Sequence, residues 1–390
     1  MALDLYRISA GRRLRCGFTT GTCAALAAQA ATCLLLDGRA PATAAVVTPA
    51  GVRVESEVLD ARSGEGWARC AIRKDGGDDV DATDGALIYA QVEVAREAGV
   101  AIQGGAGVGR VTKPGLDQPV GEAAINSVPR KMIAEAVYDV CRERGCEGGI
   151  SVTISVPEGE RIAARTFNPK LGIEGGISIL GTSGIVEPRS LAALRESIEL
   201  EIRQHAALGC RGLVIVPGNY GLDYLAAHLD VGKAPVVACS NFMGAALDMA
   251  TASGFERILV VGHIGKMIKV AGGIMDTHSR VADCRAEVMC AHAAMAGVGG
   301  KVAREIMGAA TTDAMLDIVE RAGVLDEVLD SLAGALETHL HDRVARAVPA
   351  DTPVECDVAA IVFSQVRGAL CSAGCVDGIC TALRGEYGKR

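Results

Sequence analysis

"RILVVGHIGKMIKVAGGIMDTHSRVADCRAE", Arg257 to Glu287, joins an apolar run to a stretch dense in glycine, lysine, arginine and histidine. The run "RILVVGH" shows no polar alternation and stops at a glycine, the pattern of a strand buried on both faces. Upstream, "CRGLVIVPG" and "APVVACS" have the same character. They alternate with helical segments, "SLAALRESIELEIRQHAALG", "YGLDYLAAHL" and "NFMGAALDMATASG". Further helices are expected from Ser279 to about Val348, then one more strand in "CDVAAIVFS". Short apolar strands joined by helices predict a parallel sheet covered on both sides, a Rossmann-like three-layer α/β domain over residues 186–390.

In such sheets ligands collect beyond the carboxyl ends of the strands. Three ends are unusual: "PGNYG" (Pro217–Gly221), "CSNFMG" (Cys239–Gly244) and "GHIGK" (Gly262–Lys266). Glycine lets a ligand approach the backbone, and the unpaired N–H groups of a following helix favour negative charge.

The first 185 residues follow another rhythm. "TTGTCAALAAQAATCLLLDG" opens on Thr19 and Thr20, residues able to cap a helix, and closes on Gly38. "AAVVTPAGVRVESEV" predicts a hairpin, "WARCAIRK" and "GALIYAQVEVA" predict strands, and "VPRKMIAEAVYDVCRERG" an amphipathic helix. "GISVTISVPEGERIAARTF" is read as further β structure. Strands and helices grouped without strict alternation predict an α+β two-layer sandwich, so the whole chain is placed in the α/β class with a boundary in "GTSGIVEPRS".

The totals bound the function. At 390 residues two domains are expected, and 49% apolar residues suffice for two cores. A net charge of −8 argues against nucleic acid, and no apolar run reaches membrane-spanning length. The N-terminal segment has no apolar signal core, which predicts a cytoplasmic protein. The 14 cysteines show no paired CxxC spacing and are read as reduced, mostly buried thiols. Cys371, Cys375 and Cys380 match no zinc or iron–sulfur spacing, so no metal site is expected and small buried residues are.

Three motifs invite a function and lack its parts. "GHIGK" has Val260 where a P-loop needs its first glycine and Met267 where it needs a hydroxyl, which disfavours a phosphoryl-transfer enzyme; Lys266 and Lys269 could be solvated helix lysines. "GGAGVG" (Gly104–Gly109) precedes an extended stretch rather than a helix and is read as a structural loop. "KDGGDDVDATDG" (Lys74–Gly85) lacks the register of a calcium loop; it reads as an acidic turn whose crowding should raise some carboxyl pKa values. By contrast, "VTKPGLDQPVGEAAINSVPRKMI" (Val111–Ile133) and "FNPKLGIEGGISILGTSGIVEP" (Phe167–Pro188) set amides and cations on stiff turns, which suits a polycarboxylate ligand.

"TTGTCAA", "KDGGDDVDAT", "VTKPGL…GEAAIN", "NPKLGIEGGISILGTSGIVEP", "GNYG", "SNFMG" and "GHIGKMIKVAGGIMDTHSRVADCRAE" together resemble the family of cobalt-precorrin-5B C1-methyltransferases, in order from Thr19 to Glu287. The resemblance implies transfer of a methyl group from S-adenosylmethionine to C1 of a cobalt-bearing corrinoid precursor, giving cobalt-precorrin-6A in anaerobic cobalamin biosynthesis. The chain shares with the family the lack of a usual methyltransferase fingerprint: Asn241, not an acid, follows the second strand of the alternating domain. A corrinoid precursor is a disc fringed with carboxylates, so cations and amides around an apolar floor are expected.

The resulting candidates are as follows. The catalytic residues would be His263, His278 and Asp276. Gly218, Asn219, Gly221, Ser240, Asn241, Gly244 and Gly262 would hold the donor. Thr19, Thr20, Lys113, Asn126, Lys170, Lys266 and Arg280 would meet the substrate in a crevice between the domains. For His278 the alternative is that it satisfies its own turn, and for the first-domain residues that they lock the domain interface. The Ala- and Val-rich C-terminal helices offer a homodimer face. The rival from another class is a non-catalytic corrinoid- or nucleotide-binding carrier, which would ignore the methyl donor.

Overall fold

Thr19 and Gly38 bracket helix α1 (Thr20–Asp37). The Thr19 side chain accepts from Thr22 N–H, and Gly38 closes the helix in the left-handed conformation with φ of 69°. Thirteen of the 18 residues are buried, six of them alanine, and these small side chains let neighbours approach from several sides. The helix lies on a sheet built from β1 (Leu59–Gly64), β2 (Trp67–Arg73), β3 (Leu87–Ala95), β4 (Val100–Gly104) and β5 (Gly149–Ser155), in the order β1-β2-β3-β5-β4. All neighbours are antiparallel except β5 and β4. Ile88, Ala90 and Val92 of β3 point into the core while the residues between them are partly exposed, as one covered face requires. Helix α2 (Ser127–Glu143) packs beside α1 and contributes Ile133 and Val137 to the same core.

The computed structural model describes residues 3–9, 12–166, 168–169, 171–188, 190–349 and 356–388. The chain divides into two compact units, Met1–Leu191 and Ala192–Arg390. Residues 149–166 contain β5 followed by a short helix, Gly159–Ala163, where the sequence predicted β structure throughout; the turn at Pro157 ends the strand.

The acidic turn after β2 is not the crowded site expected. Arg15 clasps Asp75 through two bonds of 2.6 and 2.8 Å. Lys74, only 2% exposed, donates to Asp81 at 2.7 Å. Hydrogen bonding to Arg15 holds the Asp75 carboxyl below its usual range. At Asp81 burial works upward, but the Lys74 charge and hydrogen bond prevail and the net shift is downward. Each of these two carboxylates has a cation of its own, so like-charge repulsion does not decide their titration.

Helix α3 (Leu191–Ala207) leads into the second unit, its first residue being the last of the first unit. Then β6 (Gly212–Val216), α4 (Asn219–His228), β7 (Val236–Ala238), α5 (Met243–Ala252), β8 (Arg257–His263) and α6 (Ile264–Ala271) alternate. Helices α7 (Arg285–Met295), α8 (Gly300–Gly308), α9 (Thr312–Arg321) and α10 (Leu325–Arg346) follow. The unit ends with β9 (Asp357–Ser364), β10 (Gly368–Ala373) and α11 (Val376–Tyr387). The strand order is β7-β6-β8-β9-β10, parallel but for the last pair. Leu213, Ile215, Ile258 and Val260 enter one apolar core, and Val214, Val216, Leu259 and Val261 enter another on the opposite face. Two cores either side of one sheet give the three layers anticipated from the apolar strands. Among the described residues no helix is long and apolar enough to cross a membrane.

The edge strand β10 and helix α11 were not anticipated, because their glycines and cysteines mask the pattern. All 14 cysteines are free thiols. Of the C-terminal three, Cys380 is buried, Cys371 is half-buried and Cys375 is exposed, which corrects the expectation that all three are buried.

Candidate functional site

Numbered within the second unit, its strands run in the order second, first, third, fourth, fifth. The winding therefore reverses between β6 and β8, and the turns leaving these two strands diverge to opposite faces. A pocket of about 450 Å³ opens there, lined by Pro217, Gly218, Asn219, Tyr220, Gly221, His263, Gly265 and Lys266. Five residues expected from the sequence, Gly218, Asn219, Gly221, His263 and Lys266, thus meet in one place. Tyr220, Pro217 and Gly265 were missed, although they sit inside or beside the quoted turns.

Gly218 has φ of 149° and ψ of −175°, a conformation that only glycine adopts readily. It turns the chain from β6 into α4 so that the first helical turn borders the pocket. The N–H groups of Asn219 and Tyr220 have no carbonyl within the helix to bond, as at any helix start. The pocket therefore has a rim of polar backbone hydrogen.

Lys266 does not extend into solvent. Its ammonium donates to the carbonyls of Pro217 at 2.5 Å and Ser240 at 3.0 Å, tying together the turns that follow β6 and β7. Ser240 is held at φ of 54°, an unusual value for a residue with a side chain, and the lysine bond steadies it. Burial lowers the Lys266 pKa from its usual value.

His263 caps α6: its Nδ1 accepts from Gly265 N–H at 3.0 Å. Nδ1 is therefore unprotonated, and the neutral ring carries its proton on Nε2. Burial lowers the imidazole pKa, opposed by the charge of Asp313. The ring stands at a right angle to Phe363, 5.7 Å between centroids.

The remaining second-unit candidates form a neighbouring corner. Thr277 N–H donates to Asn241 O at 2.9 Å, and Gly244 N–H to Met275 O at 3.1 Å. A side chain at Gly244 would collide with Met275, and one at Gly262 with Met267, so both glycines serve close packing inside the unit. Asp276 accepts from His278 N–H at 3.1 Å, and His278 Nδ1 accepts from Arg280 N–H at 3.0 Å. The loop is fastened from beneath by Lys269, which is 3% exposed and not a solvated lysine. Its ammonium donates to Thr277 O at 3.2 Å and Ala282 O at 3.0 Å and pairs with Asp283. Arg280 is exposed on that loop.

In the first unit, Thr19 and Thr20 are buried with their hydroxyls engaged. Thr19 caps α1, and Thr20 accepts from Leu180 N–H at 2.9 Å. They hold the turn of residues 178–184. Asn126 precedes α2 and donates from its backbone to Ile179 O at 3.0 Å, but its side chain makes no capping bond. Asp117 takes that place, accepting from Ser127 N–H at 2.8 Å. Lys113 is half-buried, with its carbon chain lying against Gly172. Lys170 lies outside the described residues.

A family model described as CbiD matches residues 7–188, and one described as CbiD, C-terminal domain, matches residues 276–374. The strand-end pocket falls between these two matches. A cobalt-precorrin-5B C(1)-methyltransferase of Thermoanaerobacter sp. (strain X514) is 49% identical over 322 residues, 83% of this chain and 87% of that protein. One of Alkaliphilus metalliredigens (strain QYMF) is 38% identical over 384 residues, 98% of this chain and 99% of that protein, so the pocket segment is included. Among solved structures, the crystal structure of a cobalamin biosynthesis protein (cbiD) from Archaeoglobus fulgidus shares 32% identity. It covers 72% of this chain and 88% of that one, with a TM-score of 0.39.

Proposed function

The chain belongs to the CbiD family, and on that premise we propose that it methylates C1 of cobalt-precorrin-5B to give cobalt-precorrin-6A, with S-adenosylmethionine as the donor. Relatives carrying the methyltransferase name match almost end to end, which favours catalysis over a carrier role. The donor supplies an already activated methyl group, so the protein's task is chiefly placement.

The observation that carries the reading is the pocket at the reversal of strand order, where small ligands bind in this class of sheet. Its volume suits a small molecule. The chain's own groups fit the donor: the amides of Asn219 and Tyr220 match a carboxylate, and Gly218 lets it come close to the backbone. Lys266 is a positioning residue in this reading, because its donors already hold Pro217 and Ser240. Asn241, Gly244 and Gly262 keep the surrounding turns in register, and Gly221, where a side chain would strike Val261 O and Val216, lets the helix start pack closely on the sheet.

Neutral His263 holds its proton on Nε2 and acts as a donor, not as a base. His278 and Asp276 shape the loop that presents Arg280, which is assigned to a carboxylate of the corrinoid. Calorimetric titration of the full chain with S-adenosylhomocysteine tests the donor site. Wild type should bind, and Gly218→Val should bind at least about tenfold more weakly, since a side chain is strained there. No heat with wild type would return the carrier reading, and methyl transfer to cobalt-precorrin-5B would then be absent as well.

A further inference from the structure

Aromatic residues make up 3% of this chain, yet three of them gather at the carboxyl end of the second unit's sheet. Tyr224 stacks on Phe363, with 4.1 Å between centroids and 12° between planes. Tyr220, 57% exposed, stands 6.1 Å from the His263 ring. Beside them a second pocket of about 260 Å³ is lined by Tyr220, Asp223, Tyr224, Phe363 and Gln365, among others. Tyr220 borders both pockets, so the two are neighbours separated by one ring. Tyr220, Asp223 and Tyr224 lie three and four residues apart on α4 and share a helix face.

We propose that this second pocket is the adenosine subsite, with the adenine ring laid against Tyr220 and the ribose hydroxyls donating to Asp223. The inference rests on the reading of S-adenosylmethionine as donor and adds where its nucleoside end lies. Two features select adenosine over the corrinoid. The pocket is small for a macrocycle, and Asp223 has no ion-pair partner among the described residues, so it would repel a carboxylate fringe but accept from a diol. Asp223 also answers the absence of an acid after β7, where Asn241 stands: the ribose partner comes from the helix after the first strand.

The test is calorimetry on the full chain with two probes, S-adenosylhomocysteine and 5′-methylthioadenosine, which lacks the amino-acid end. Tyr220→Ala should weaken both by about tenfold, the scale of base stacking on an aromatic ring, while Tyr220→Phe stays near wild type. Asp223→Asn should weaken both to a similar degree, independently of the tyrosine. Unchanged methylthioadenosine affinity in Tyr220→Ala and Asp223→Asn, with S-adenosylhomocysteine still bound by wild type, would overturn the subsite and leave the donor reading standing. Failure of wild type to bind either probe would remove both. If Tyr220→Ala spared methylthioadenosine but weakened cobyrinic acid, the pocket would belong to the corrinoid.

Discussion

The acidic turn of the first unit and the strand-end pocket of the second concentrate the same chemistry, glycine with lysine and polar side chains, to opposite ends. In the turn, Lys74 and Arg15 face carboxylates, and Asp78 and Asp84 accept from the backbone N–H groups of Arg15 and Gly76. These charges are paired within the chain, even though Arg15, Lys74, Asp75 and Asp84 also border a pocket of about 380 Å³. At the pocket, the lysine is engaged by carbonyls while helix-start amides, Tyr220 and the His263 ring are left bordering an opening. What separates a structural cluster from a site is whether its groups find partners within the chain.

The sharpest way to break this contrast is at Asp81. Asp81→Asn leaves the Lys74 ammonium buried without its counter-charge, which should lower stability by about 3 kcal/mol, the low end for such a change because Asp81 is partly exposed. Urea unfolding measures it. Under conditions where the variant remains folded, its affinity for S-adenosylhomocysteine should equal that of wild type. A folded variant that lost donor binding would show the turn to be part of the site.

Lys266 should give the converse pattern. Lys266→Met deprives two carbonyls of their donor and should reduce stability by only about 1–2 kcal/mol. The turns it holds would relax, and affinity for S-adenosylhomocysteine should fall by about tenfold, equivalent to about 1.4 kcal/mol. A stability loss with affinity unaltered would place Lys266 with Lys74 as a purely structural lysine.

Side-chain partners explain what could be read in advance and what could not. The Thr19 cap, the Gly38 stop and the buried strands β6, β8 and β9 of the second unit follow from local signals that hold whatever surrounds them. "PGNYG" and "GHIGK" could be singled out because strand ends in such sheets bind ligands. That Lys266 reaches back to Pro217, 49 residues earlier, depends on the strand order, which periodicity does not reveal. The same holds for Lys269: its helical position gave no hint that residues 277–283 fold over it. Tyr220 was within reach, since an exposed tyrosine in a chain so poor in aromatic residues is itself a signal. Asp75 and Asp81 were misjudged because their neighbours in sequence are acids while their partners, Arg15 and Lys74, set the field.

Acidity separates the two regions most finely. His263 binds its proton less tightly in the folded chain than at its ordinary 6.5, because burial disfavours the imidazolium. The unfolded chain therefore takes up more protons in that window; the contribution of His263 is complete above about 6.5 and is lost as pH falls through the folded value. Protonation would also place a hydrogen on Nδ1, against Gly265 N–H, and uncap α6. Asp75 and Asp81 are depressed below their ordinary 3.8, so their contribution is complete above that value and is lost only at lower pH. Acidification should thus perturb the pocket before the turn, with donor affinity falling on the acid side of 6.5 while the first unit stays intact. His263→Asn keeps an acceptor at the cap and removes the titration, so it should flatten this acid limb at little loss of stability, whereas His263→Ala should cost about 1 kcal/mol. An acid limb that survived in His263→Asn would assign the titration to another group and separate the pocket's pH response from its helix cap.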